Sequence, residues 1–61
     1  MSLEEKIDDA IERCLAIKKI IEFLQAGKLF GIDLTLAQRT ALRNLGIRLR
    51  DEAITLLQSI P

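Results

Sequence analysis

Apolar residues recur along the first part of the chain at Leu3, Ile7, Ala10, Cys14, Ile17, Ile21 and Leu24, in steps of four and three without a break. That alternation is the seam of a coiled coil, and it fits neither a strand nor a solvated loop. Ser2 begins a capping box with Glu5, in which the hydroxyl accepts from the Glu5 amide and the carboxylate reaches back to the Ser2 amide. Glu4, Glu5, Asp8 and Asp9 load the first turns with negative charge, which suits the positive end of a helix dipole. Gly27 supplies the left-handed stop that commonly follows a last helical turn. The first helix is expected over residues 3–26.

Thr35 and Gln38 repeat the capping pattern ahead of a second apolar face: Leu42, Leu45, Leu49, Ala53, Leu56, Leu57 and Ile60. Gly46 lies within that face. A glycine inside a helix costs ~1 kcal/mol against alanine, so its position predicts close approach of a neighbouring backbone. The second helix is expected over residues 36–59, with Pro61 beyond it. The connector, residues 27–34, is long for a helix–helix join and carries Leu29, Phe30, Ile32 and Leu34. The fold class is all-α: an antiparallel two-helix hairpin, one domain over residues 1–61, with a small crossing angle.

A chain of 61 residues hides only ~60 % of its unfolded surface. Folds this small borrow stability from disulfides, metals or partners. A single cysteine excludes an intrachain bridge. Without histidine the chain has a poor ligand set for zinc or iron, so no metal or other cofactor is expected. Self-association remains, and the apolar surplus supports it. Ala16, Ile20 and Phe23 form a further stripe on helix one, Ile11 and Leu15 widen its seam, and Leu36, Ile47 and Ile54 form a further stripe on helix two. Clustered apolar surface of this kind marks an interface. The simplest closure is a twofold homodimer making a four-helix bundle, with room for a larger oligomer.

Nine basic and nine acidic side chains cancel, which leaves no overall field to draw the chain to nucleic acid or an anionic membrane. The most apolar stretch, Cys14 to Leu24, is broken by Lys18, Lys19 and Glu22 and falls short of the ~20 residues of a membrane span. The N-terminus is acidic where a signal peptide is basic. A cytoplasmic setting, without nucleic acid or membrane, is expected. The charges are nevertheless sorted along the sequence. Arg39, Arg43 and Arg50 share one sector of helix two between its apolar stripes, and Lys28 stands near the start of that helix. Two readings follow. The row holds an anion, such as a nucleotide or a phosphorylated ligand, through paired hydrogen bonds. Alternatively, and preferred here, it pairs with the acidic N-terminal segment of a second copy.

Catalytic equipment is not expected. The Glu4, Asp8, Glu12 row opens a helix and faces water, and Cys14 at a seam position reads as a small core hydrophobe without a basic partner. Gly27 and Gly31 lack the spacing of a phosphate loop. In the connector, Leu29, Phe30 and Ile32 either fold back to cap the bundle end, the preferred reading, or present Phe30 to a partner protein. The functional expectation is a non-enzymatic module that self-associates and binds another protein as regulator, inhibitor or scaffold. The alternative is an oligomer that captures a phosphorylated or nucleotide anion through Lys28, Arg39, Arg43 and Arg50.

Overall fold

A computed structural model describes residues 2–61. Helix α1 spans Leu3–Ala26 and helix α2 spans Leu36–Gln58, joined by a two-stranded ribbon, β1 at Lys28–Leu29 and β2 at Ile32–Asp33. The chain is a helical hairpin with a short sheet at its closed end. Three contacts fix the antiparallel register: Lys6 Nζ donates to the Ser59 carbonyl at 3.4 Å, Arg13 meets Glu52 at 3.0 Å, and Ile20 lies against Gly46.

Local chemistry sets the helix ends. The Ser2 hydroxyl accepts from the Glu5 amide at 3.2 Å. The Glu5 carboxylate accepts from the Ser2 hydroxyl, also at 3.2 Å, rather than from the Ser2 amide, so the expected box is half formed. At Thr35 the box is complete, with Gln38 N donating to Oγ1 at 3.1 Å and Thr35 N donating to Gln38 Oε1 at 2.9 Å. Gly27 closes α1 at φ +73°, and its N–H donates to the Phe23 carbonyl at 2.9 Å.

The connector is more ordered than its sequence predicts. Lys28 pairs with Asp33 and Leu29 with Ile32 across an antiparallel ladder, and the turn passes through Phe30 at φ +51° and Gly31 at φ +76°. Two successive positive φ angles are the pattern of the tight two-residue hairpin turn, which favours Asn-Gly. Phenylalanine in the first position hides the signal, so the ribbon goes unseen in the sequence.

The core is thin. Ala10, Ile20 and Ala53 are the buried apolar residues, and no large side chain is fully enclosed among the described residues. Along α2 the face turned to α1 is the expected one, Leu42, Leu45, Gly46, Leu49, Ala53, Leu56 and Ile60 all being half-buried or buried; Leu57, also expected there, is exposed. Along α1 the face is rotated from the heptad seam. Leu3, Ile7, Cys14 and Ile21 are exposed, while Arg13, Ala16, Ile20 and Phe23 turn inward beside Ala10, Ile17 and Leu24.

The apolar sector of α1 is wider than one partner helix can cover, and α2 takes one edge of it. Small residues at the contact, Ala10, Gly46 and Ala53, let the two helices sit close there. Arg13 is accommodated because its stem packs while its head reaches Glu52 and the Asp9 carbonyl, the latter at 3.1 Å. The readings of Cys14 as core and of Ala16, Ile20 and Phe23 as a free outer stripe are thereby corrected. Gly46 also has a different neighbour from the one expected. A Cβ placed there would stand 3.6 Å from the Ile20 side chain, an ordinary contact, not a clash with a backbone.

Candidate interaction surface

Among the described residues, eleven large apolar side chains are exposed: Leu3, Ile7, Ile11, Leu15, Ile21, Phe30, Ile32, Leu36, Ile47, Ile54 and Leu57. Their placement is not random. With 3.6 residues per turn, Ile7 and Ile21 lie about 80–120° round α1 from its contact line, and Leu36, Ile54 and Leu57 lie about 80–140° round α2 in the same rotational sense. On antiparallel helices, displacements of equal sense emerge on the same face of the pair. A shallow groove of about 220 Å³ confirms the geometry, since Ile21 of α1 and Arg43, Ile47 and Arg50 of α2 line it together above Ile20 and Gly46. One broad face of the hairpin therefore carries much of the exposed apolar area of both helices, with Cys14 exposed on it midway along α1, while Ile11 and Leu15 lie on the side of α1 turned away from α2.

The expected basic site is only partly assembled. Arg43 and Arg50 share the groove, and Arg43 makes no ion pair among the described residues. Arg50 leans on its neighbour Asp51 at 3.3 Å. Lys28 is engaged across the ribbon by Asp33 at 3.8 Å. The Arg39 guanidinium lies over Gly27, where a Cβ would stand 2.7 Å from Nη2. At 1.5 Å per residue, Arg39 and Arg50 are ~16 Å apart along the helix, too far to hold one phosphate together. The four cations do not converge.

Of the expected interface residues, Leu36, Ile47 and Ile54 are exposed, and Ile20 is covered within the chain at 7 % exposure. Ala16 and Phe23 are half-buried on the face turned to α2. Phe30 is 91 % exposed and Ile32 is 70 % exposed, so they do not fold back over the end of the hairpin; Leu29 and Leu34, both half-buried, do that instead. A second, more apolar hollow of about 360 Å³ opens beside them between the ribbon and α2, with Ala41, Leu42 and Leu45 along its floor.

The acidic residues Glu4, Asp8 and Glu12 are all exposed, and no cluster of metal-ligating side chains occurs among the described residues. Among the described residues no helix is long and apolar enough to cross a membrane. No family model matches the chain, and no curated protein or solved structure matches it either.

Proposed function

We propose that this chain is a non-enzymatic interaction module, which self-associates through the broad apolar face into a helical bundle and in that form binds another protein as regulator, inhibitor or scaffold. A single observation carries the reading. The hairpin exposes 4704 Å², whereas a compact monomer of 6.9 kDa exposes about 4,000 Å² by size scaling. Many of the exposed large aliphatic side chains share one side, the arrangement expected of a surface that is covered in use. A lone thiol agrees with a reducing, cytoplasmic setting. Light scattering at micromolar concentration tests the first half: a mass of at least two chains is expected, and a stable, folded monomer would remove the proposal.

A second reading draws on Arg43, which faces the groove without an acidic partner and beside Arg50. Two guanidinium groups over an apolar floor suit an anion with a hydrophobic body. Thermal melting with inorganic phosphate and a nucleotide panel tests this, since a ligand of the native state raises the melting point. A shift that is lost in Arg43→Ala supports the anion site, and no shift with any anion rules it out.

A further inference from the structure

We infer that two copies pair through this face with their closed ends pointing in opposite directions, so that each α1 lies along the α1 of the other copy. The inference rests on the self-association proposed above and adds the partner and its orientation. A face-to-face twofold pair of hairpins has two closed forms. With the axis along the helices, both closed ends lie together and α1 packs on the partner's α2. With the axis across the helices, the closed ends lie apart and like helices pack on each other.

Charge decides between them. The register set by Arg13 with Glu52 divides the hairpin near Cys14 and Arg50. The open half carries Glu4, Glu5, Asp8, Asp9, Glu12, Asp51 and Glu52 against Lys6, Arg13 and Arg50. The closed half carries Lys18, Lys19, Lys28, Arg39, Arg43 and Arg48 against Glu22 and Asp33. The chain is neutral only as a sum; each half has a strong excess of one sign. Most of these charges lie off the apolar face, so the effect is one of whole halves: closed end on closed end brings a net excess of four positive charges beside another, and turning one copy end for end brings each excess beside its opposite. Like-charge juxtaposition is how interfaces reject a wrong register.

The area is sufficient. A face of 42 by 17 Å is about 700 Å² in plan, close to the ~800 Å² per partner of a standard interface.

The distance between the two closed ends reads the orientation directly. Asp33→Cys places a spin label on an exposed ribbon residue, and Cys14→Ala removes the native thiol. In a molecule 42 Å long, opposed closed ends give a label separation of roughly 40 Å, and closed ends together give roughly 20 Å or less, about the width of a helical bundle. Sedimentation of the labelled protein is measured alongside. A dimer with the long distance supports the inference. A dimer with the short distance overturns it and leaves the self-association intact, whereas a monomer overturns both. Should Asp33→Cys fail to fold, labelling Ala26→Cys, exposed at the end of α1 on the side turned away from this face, in the same background gives the same contrast.

Discussion

Gly46 and Phe30 are the two positions where local preference and observed structure part company. Gly46 has ordinary contact room for a methyl group against Ile20. Gly46→Ala should therefore recover most of the helix propensity that glycine gives up, roughly 0.5–1 kcal/mol, as a rise in the urea midpoint; a fall would mean that the helices approach more closely than the Ile20 contact indicates. The sequence marks this glycine as a packing residue but not its neighbour, because a gap in one helix face does not name what fills it. Phe30 holds a left-handed conformation while almost wholly exposed, so it gains no packing in return. Asparagine is far better suited to that turn. Phe30→Asn should stabilise the hairpin by about 1 kcal/mol, a rise in melting temperature of roughly 4–8 °C. If that variant also loses a protein partner, Phe30 is a contact residue kept at a cost in stability.

At the scale of elements, both helices and their ends are legible in the sequence because capping chemistry is local. Ser2, Gly27, Thr35 and Gln38 act within a few residues of themselves. Thr35→Ala should cost about 1 kcal/mol by leaving the Gln38 amide unpaired, measurable by chemical denaturation. Which side of α1 meets α2 is not legible, because its apolar residues cover more of the circumference than one neighbour needs. The heptad pattern locates the middle of that sector, and the packed hairpin uses one edge of it. Adjacent isoleucines separate the two edges. Ile20→Ala should lower stability by about 2–4 kcal/mol, since it opens a hole beside Gly46 in a very small core. Ile21→Lys should leave the helical content of the hairpin in place and weaken association at least tenfold, as read by sedimentation equilibrium. Equal effects of the two on the hairpin itself would place both residues in one core.

For the whole molecule, the governing fact is how little of it is inside. A pair of helices has one line of contact, and here that line is held by Ala10, Ile20, Ala53 and half-buried leucines, with the partly exposed Arg13–Glu52 pair adding at most about 1 kcal/mol. The size of the chain and its single cysteine are plain from composition, so the expectation of a partner can be formed before the fold is known. The sharing of one face by the Ile7–Ile21 edge of α1 and the Leu36–Ile54 stripe of α2 is not legible there, because it depends on which side of each helix meets the other. If covering that face is what completes the fold, folding and association are linked, and stability must depend on concentration. Thermal unfolding followed by circular dichroism, from about 1 μM to a few hundred μM chain, tests this most directly. The melting temperature should climb steadily across the range; a cooperative transition at one temperature throughout would show that the lone hairpin is sufficient and that its apolar face needs no second copy.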